Sequence, residues 1–316
     1  MKSSKKNTRA MNINGKSVMI KASSQDLLNR SRRPTFIAFS IPGLALYSLF
    51  FIYPVFLGLY YSLTDWNGMA QVMNYIGLEN YANVFQNARF QKAMMFNLRY
   101  TILLMIFVLI IAMLLAVLLN SKIKGITFYR AMLYMPAVLC GITISLVFGQ
   151  VFGKIIPPIG QILGIDFLST SILGRKETAM FGILLVHLWQ GLAMPTVLFL
   201  AGLQTVPADL YEAAAIDGAS PWKSFTNITL PFLVPVITMV SILTLKSGLG
   251  VFDYIKGLTD GGPMKSTISL SYLIYDDAFA RNRFSFAISE AIVVSAILIV
   301  FSIIQISVSN RKRVYK

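Results

Sequence analysis

Long stretches without a charged residue dominate the pattern of this 316-residue chain. A spanning helix needs about 20 apolar residues to cross about 30 Å of hydrocarbon. The stretches that meet this requirement are Pro34–Thr64, Tyr100–Ser121, Ala131–Gly153, Ala179–Ala208, Ser224–Leu245 and Ala291–Asn310. The pattern therefore predicts an all-α integral membrane protein with six transmembrane helices.

The same pattern predicts the organisation of the chain. We expect a basic N-terminal segment at 1–33, a transmembrane domain at 34–310 with a polar loop at 204–229, and a basic tail at 311–316. The first apolar stretch follows 33 polar residues, is too long for a signal peptide and lacks a small-residue cleavage site. It is therefore predicted to be a retained transmembrane helix.

The distribution of lysine and arginine predicts the orientation. Residues 1–33 carry nine of these residues and one acid, Asp26. With this end in the cytoplasm, 17 of the 28 Lys and Arg residues lie on the cytoplasmic side, which agrees with the positive-inside rule. Both termini are then cytoplasmic. The net charge of +15 reflects membrane topology, and we expect no nucleic-acid partner.

Composition excludes several other classes of protein. Charged residues make up 13% of the chain, against about 25% in soluble domains, and hydrophobic residues make up 56%. One cysteine, Cys140, excludes a disulfide framework, and one histidine, His187, argues against a metal site. Glu290 is expected at the outer end of the sixth helix, within reach of the headgroups. His187 is expected to be a hydrogen-bonded interior side chain rather than a proton relay.

The loop at 204–229 has the local signals of a helix–turn–helix elbow. Pro207 and Asp209 suit the first turn of a helix, and Gly218 is placed to end that helix in a left-handed conformation. Ser220 is placed to cap a second short helix. Small residues along the first helix would let another surface approach closely, which an ordinary surface helix would not require.

Within this elbow, Glu212-Ala213-Ala214 and Asp217-Gly218-Ala219 resemble the EAA motif. This motif marks the permease subunits of binding-protein-dependent ATP-binding-cassette importers. Gly77-Leu78-Glu79-Asn80-Tyr81 and Leu258-Thr259-Asp260-Gly261-Gly262-Pro263 narrow the resemblance to the carbohydrate-uptake branch, which includes maltose and glycerol-3-phosphate importers. The resemblance covers about residues 34–310.

The resemblance implies the ABC importer permease fold and a location in the bacterial cytoplasmic membrane. It implies import of a sugar, an oligosaccharide above all, together with a second homologous permease, two ATPase subunits and an extracytoplasmic solute-binding protein. ATP and Mg²⁺ would be used by the ATPase, and this chain would be no enzyme and hold no cofactor. The elbow would seat in the ATPase through Glu212, Ala213, Ala214, Asp217, Gly218 and Ala219.

A candidate solute path follows from spacing and from the resemblance. His187, Gln190, Gly191 and Met194 have the spacing of one helical face. By resemblance, positions of this kind contact sugar in maltose-type permeases, together with a second set just after the fifth apolar stretch. The second set falls on Ser247, Gly248 and Val251. An alternative for Gly191 and Gly248 is close helix packing.

Two alternative functions remain open at this stage. The first is import of another solute, such as glycerol phosphate or a polyamine. A path for an anion such as glycerol phosphate should have Lys or Arg within the helices, and the sequence offers Lys246, directly after the fifth apolar stretch. The second is an ATP-independent scaffold or channel. The chain has no P-loop pattern, so transport against a gradient would need an ATPase partner.

Overall fold

The computed structural model describes residues 8–13, 16–21, 39–121 and 124–311. The chain divides into two compact units, residues 1–60 and residues 61–316. The basic tail predicted at 311–316 lies outside the described residues after Arg311, and so does most of the predicted segment at 1–33.

The first unit contains a short hairpin that the sequence analysis did not predict. Strands β1 (Thr8–Ile13) and β2 (Lys16–Lys21) pair antiparallel, with Thr8 opposite Lys21. The sequence between the strands is Asn-Gly, the dipeptide that most strongly favours a two-residue hairpin loop, so a signal was available. Helix α1 follows at Phe39–Tyr61.

The described residues of the second unit are helical, apart from turns, irregular connecting segments and one isolated bridge. Its helices are α2 (Glu79–Gln86), α3 (Ala88–Asn120), α4 (Ile126–Tyr134), α5 (Gly141–Ile162), α6 (Ala179–Gly191), α7 (Ala193–Leu203), α8 (Ala208–Ile216), α9 (Pro221–Leu249), α10 (Asp253–Leu258), α11 (Leu270–Tyr275) and α12 (Phe284–Arg311). A π-helical turn, Asp276–Ala280, continues α11.

Among the described residues, five helices are long and apolar enough to cross a membrane, and α6 with α7 forms a bent sixth candidate. The prediction of six spans is therefore confirmed, but several boundaries were wrong. The third span was predicted at 131–153 and is found at Gly141–Ile162, because a separate helix and a 3₁₀ turn, Met135–Val138, precede it. Helices α3 and α12 each begin before their charge-free stretch, because Arg99 lies within α3 and Glu290 lies within α12.

The bend between α6 and α7 is 48° and falls at Leu192. Pro195 explains it, because proline has no N–H to donate to the carbonyl of Gly191 and its ring crowds that carbonyl. This span therefore consists of two helices, and a residue before the bend need not face the same way as one after it.

The core of the second unit lies where α3, α7 and α9 pack together. Side chains of α3 are buried at three- and four-residue intervals, as in Leu104, Val108 and Ala112. Gly202 of α7 allows a close approach, because a Cβ there would lie 2.7 Å from the side chain of Leu233 in α9. Small residues at such contacts are typical of packing between helices in membranes.

The Gly-Leu-Glu-Asn-Tyr segment has a structural role at the start of the second unit. The buried Asn80 donates through Nδ2 to the carbonyls of Ser62 and Thr64, at 2.9 and 2.8 Å. The hydroxyls of Tyr81 and Ser62 are 2.7 Å apart. Helix α2 is thus fixed to the segment that follows α1.

Candidate functional site

Three regions of the second unit contain the predicted functional residues or unusual polar groups. The first is a polar cluster between α3, α6, α9 and α10. The second is the elbow between α7 and α9. The third is a charged region around the first turns of α3 and the segment between α10 and α12. The bent span formed by α6 and α7 begins beside the third region and ends just before the elbow. The third region and the elbow therefore lie at opposite ends of this span.

The polar cluster is centred on His187, which is 5% exposed. Its Nδ1 lies 2.9 Å from the hydroxyl of Tyr100, and its Nε2 lies 2.9 Å from the hydroxyl of Ser247. Each hydroxyl can donate or accept, so a neutral imidazole satisfies both contacts in either tautomer. The prediction of a hydrogen-bonded interior histidine is confirmed.

Tyr254 joins this cluster from α10. Its ring stacks on the imidazole of His187 with a centroid separation of 4.3 Å, and its hydroxyl donates to Oε1 of Gln190 at 2.8 Å. The other end of that amide donates to the carbonyl of Leu139, before α5, at 2.8 Å. Gln190 therefore links α6 to two other elements.

Gly191 is half-buried at the end of α6. A Cβ added to this glycine would lie 3.5 Å from the imidazole of His187, which is an ordinary van der Waals contact. Met194 lies beyond the bend and is 59% exposed. The single helical face predicted for the four residues of this set is thus interrupted at Leu192. His187, Gln190 and Gly191 remain together on α6, whereas Met194 belongs to α7.

The three predicted residues near the end of α9 have different environments. Ser247 is exposed, whereas Gly248 and Val251 are buried. A Cβ on Gly248 would lie 2.7 Å from Oγ1 of Thr101, so this glycine permits the close approach of α3 and α9. The environment of Gly248 is thus that of close helix packing, the alternative to solute contact. Contact with a solute stays a prediction for all three.

Sequence reasoning missed Asn97, which fixes the same end of α9. Its buried amide donates to the carbonyls of Gly248 and Leu249 at 3.0 and 3.1 Å, and its Oδ1 accepts from the backbone N–H of Leu270 at 2.7 Å. Missed with it were Tyr100 and Tyr254. A usable signal existed on α3, because Asn97 and Tyr100 place two polar groups on one face at the edge of an apolar stretch.

The elbow has the local geometry that its sequence predicts. Helix α8 ends at Ile216, and Gly218 has a φ of +71°. The backbone N–H of Ala219 donates to the carbonyl of Ala214 at 2.9 Å, which closes the helix end. Ser220 caps the first turn of α9, where its Oγ accepts from the N–H of Lys223 at 3.3 Å.

Two large apolar side chains of the elbow are strongly exposed. Ile216 is 87% exposed and Trp222 is 70% exposed, and neither was among the residues predicted to contact a partner. The hydroxyls of Tyr211 and Thr229 are 2.7 Å apart and hold α8 against α9. Of the predicted coupling residues, Ala214 and Ala219 are half-buried and the others are exposed: Glu212, Ala213, Asp217 and Gly218.

Ion pairs fix the charged region. The guanidinium of Arg89, in the first turn of α3, contacts both Asp276 and Asp277, the latter at 3.0 Å, and Arg281 contacts Asp276 at 3.1 Å. Asp277 is fully buried. Nearby, Lys256 hydrogen-bonds Asp260 at 2.7 Å and holds the pKa of that carboxyl below its ordinary value.

Glu290 does not lie where the sequence suggested. It was expected to reach the headgroup region, but its side chain is fully buried. Helix α12 begins at Phe284, well before the predicted start at residue 291, so Glu290 lies in the second turn of a packed helix. Within the described part of the chain, neither carboxyl oxygen has a hydrogen-bond partner.

The family model described as "Binding-protein-dependent transport system inner membrane component" matches residues 100–314, and the chain belongs to this family. It is therefore a multi-pass protein of the cytoplasmic membrane and a transport component rather than an enzyme.

Two relatives and one solved structure illustrate the similarity. The "Multiple sugar-binding transport system permease protein MsmF" of Streptococcus mutans is 44% identical over 86% of this chain and 94% of its own length. The "Probable starch degradation products transport system permease protein AmyD" of Thermoanaerobacterium thermosulfurigenes is 28% identical over 87% and 94%. A chain of a bacterial ABC transporter that imports the acidic polysaccharide alginate has the same fold, with a TM-score of 0.76, 21% identity and coverage of 90% and 98%.

Proposed function

We propose that this chain is the membrane-spanning permease subunit of an ATP-driven, binding-protein-dependent sugar importer, with an oligosaccharide as cargo. The names of the relatives support a sugar, since one is called a multiple sugar-binding system and another a system for starch degradation products. The proposed assembly has a second homologous permease, two ATPase subunits and an extracytoplasmic solute-binding protein. ATP and Mg²⁺ act in the ATPase subunits.

The observation that carries the proposal is the exposed elbow. A large apolar side chain such as Ile216 or Trp222 loses about 1.5–3 kcal/mol by staying in water instead of being buried. Two such side chains flank the left-handed turn at Gly218, on a segment already fixed by its own hydrogen bonds. This is the expected surface of a preformed element that inserts into a partner. In the proposed assembly, that partner is the ATPase.

Helix α9 supplies the mechanical link between the elbow and the polar cluster. It begins at Pro221 in the elbow and runs through Ser247 to Leu249, a length of about 43 Å for its 29 residues. Movement of the elbow with the ATPase would displace Ser247 relative to His187 of α6. Coupling requires an element with two discrete arrangements, and the bend at Leu192 divides the neighbouring span into two bodies that can move separately.

The proposed cargo path uses groups that can serve a hydroxyl-rich, neutral solute. Ser247 is exposed, Gln190 is half-buried, and Tyr254 offers an aromatic ring and a hydroxyl beside them. Such groups orient a sugar by hydrogen bonds and flat apolar contact. In this conformation Ser247 bonds to His187, and Tyr254 bonds to Gln190. The proposal therefore requires that the cluster opens when the elbow moves.

The test is retention of the ATPase by a tagged chain purified in mild detergent from its native membranes. Ile216→Asp should reduce the amount of co-purified ATPase at least tenfold, because it places a charge in an apolar contact. The matched control is Ile162→Asp, since Ile162 is 84% exposed at the end of α5 and outside the elbow. Equal retention in both variants, or no ATPase with the unmodified chain even after crosslinking, would favour a scaffold or channel.

The cargo is tested on the same complex. ATP hydrolysis should rise when the binding protein is added with an oligosaccharide, and should not rise with sn-glycerol 3-phosphate or a polyamine. Stimulation by one of the latter compounds alone would leave the permease assignment intact and replace the sugar with that solute.

A further inference from the structure

A basic cavity at the N-terminal end of α3 has no part in the proposed transport path. Its volume is about 670 Å³, which is within the range of small-ligand sites. The lining side chains include five basic residues and one acid. They are Arg89, Lys92, Arg99, Lys176, Lys265 and Glu177.

Ion pairs within the chain account for part of this charge. Arg89 bonds to Asp276 and Asp277, and Lys176 lies 4.0 Å from Glu177. Within residues 39–121 and 124–311, Lys92, Arg99 and Lys265 have no acidic side chain at ion-pair distance. Three positive charges therefore face one cavity without compensation, which favours an anionic ligand.

The loop that carries Lys265 is held rigidly in an unfavourable backbone conformation. Met264 and Lys265 have φ values of +51° and +60°, which non-glycine residues seldom adopt. The backbone N–H of Ser266 bonds to the carbonyl of Pro263 at 3.0 Å, and the hydroxyls of Thr259 and Thr267 are 2.8 Å apart. Such strain is retained where surrounding structure enforces it, and it often marks a functional position.

Ser266 adds a polar group to the cavity wall. Its hydroxyl is buried and has no hydrogen-bond partner among the described residues. A buried hydroxyl without a partner is costly, whereas a phosphate oxygen would accept its proton in a charge-assisted hydrogen bond.

The residues that line the cavity are positioned near the surface of the membrane. Arg99 directly precedes the charge-free stretch Tyr100–Ser121, and Lys176 lies three residues before α6 begins at Ala179. Helix α3 has 33 residues and is about 50 Å long, so its first turns extend beyond a hydrocarbon layer of about 30 Å. Arg99 and Lys176 are therefore placed at the level of the lipid headgroups.

One face of α3 continues from the cavity into the hydrocarbon. Lys92 and Arg99 are seven residues apart and share this face, and both are exposed. Beyond them the same face is formed by exposed isoleucines. They are Ile102, Ile106 and Ile110. Positive charge at the headgroup level is thus followed by an open apolar stripe at the level of the acyl chains.

We propose that the cavity and this stripe together bind an anionic phospholipid. Its phosphate lies among Lys92, Arg99 and Lys265 with Ser266 as a further donor, and an acyl chain lies along the isoleucines of α3. A soluble acidic saccharide would use the cations but gain nothing from an isoleucine stripe inside the membrane. An amphipathic anion uses both, because positive side chains at the level of the headgroups attract an anionic headgroup.

The test uses the complete importer in nanodiscs that contain phosphatidylglycerol and phosphatidylcholine, with bound lipid counted by native mass spectrometry. The unmodified complex should retain phosphatidylglycerol selectively. Each basic residue near the membrane surface contributes about fivefold in affinity, so K92Q/R99Q/K265Q should weaken retention about a hundredfold. The control R175Q/K246Q/K154Q removes three exposed cations outside the cavity lining and should retain the lipid.

A second measurement needs no variant and so does not depend on folding of a mutant. Photoactivatable phosphatidylglycerol should label α3 between Lys92 and Ile110 in the unmodified complex. Equal retention of phosphatidylcholine, labelling confined to other helices, or protection of this stripe by the second permease would overturn the proposal. So would binding of soluble sn-glycerol 3-phosphate to the cavity as tightly as the lipid.

Discussion

The hydroxyl of Tyr254 donates a hydrogen bond to Oε1 of Gln190 across 2.8 Å, and this bond joins α10 to the first half of a bent transmembrane span. The ring of Tyr254 also covers the imidazole of His187. One tyrosine therefore connects both polar side chains of α6 with the segment that follows α9. A change in the position of α9 must move this tyrosine or break its bond.

Replacing Tyr254 with phenylalanine tests that connection. Tyr254→Phe keeps the stacked ring but removes the donor to Gln190, so we expect a loss of about 1 kcal/mol in unfolding free energy. Thermal unfolding of the purified complex would show it as a lower Tm. Tyr129→Phe on α4 is the matched control, because Tyr129 is 53% exposed. Equal Tm values for the two variants would contradict the assigned bond.

Asn97 should be among the most sensitive single positions in the second unit. Asn97→Leu keeps the branched shape of the side chain, but it leaves the carbonyls of Gly248 and Leu249 and the N–H of Leu270 without their partner. Each buried unpaired group costs about 1–3 kcal/mol, so we expect loss of folded complex. Membrane-inserted yield after mild extraction is the measurement. Asn120→Leu, at the end of α3, should give normal yield.

The contact between His187 and Tyr100 predicts a non-additive pair of substitutions. His187→Phe leaves the buried hydroxyl of Tyr100 without its partner and should destabilise the complex by about 1–3 kcal/mol. Adding Tyr100→Phe removes that hydroxyl and should recover part of the loss, since replacing both partners by apolar groups is far less costly. A denaturation series on the single and double variants measures the coupling. Simple additivity would show that the two side chains do not depend on each other.

Gly218 should matter because of its backbone, not its size. A Cβ at this position would meet no other atom within 4 Å, but φ is +71°. Gly218→Val should therefore distort the elbow and weaken ATPase retention and transport, because a β-branched residue resists the left-handed conformation. Gly218→Asn should behave almost normally, since asparagine adopts this conformation more readily. Wild-type transport and ATPase retention in Gly218→Val would refute this role.

Hydropathy and helix-end preferences, which are read from neighbouring residues, predicted the features that depend on neighbouring residues alone. Six spans followed from hydropathy, and the turn at Gly218 and the cap at Ser220 followed from helix-end preferences. Helix ends were less accurate, as with the third span. Its apolar stretch includes the 3₁₀ turn at Met135–Val138, which hydropathy does not distinguish from a helix.

The contacts that make the polar cluster were beyond sequence reasoning. Tyr100 lies 87 positions from His187, and Ser247 lies 60 positions from it. Nothing in a single sequence indicates which of many helix faces meet. The bend at Leu192 also separates Met194 from His187, although their seven-residue spacing predicts one face. Burial of Glu290 follows from the early start of α12, which the sequence concealed because Glu290 itself interrupts the charge-free stretch.

Solute uptake by the reconstituted complex tests the central claim most directly. The purified importer would be placed in liposomes with ATP and Mg²⁺ inside, the binding protein outside, and a radiolabelled oligosaccharide as cargo. The account predicts accumulation of the sugar against its gradient, strongly reduced in Ile216→Asp and preserved in Ile162→Asp. Accumulation without ATP, or uptake equal in both variants, would contradict the proposal that the elbow couples ATP hydrolysis to transport.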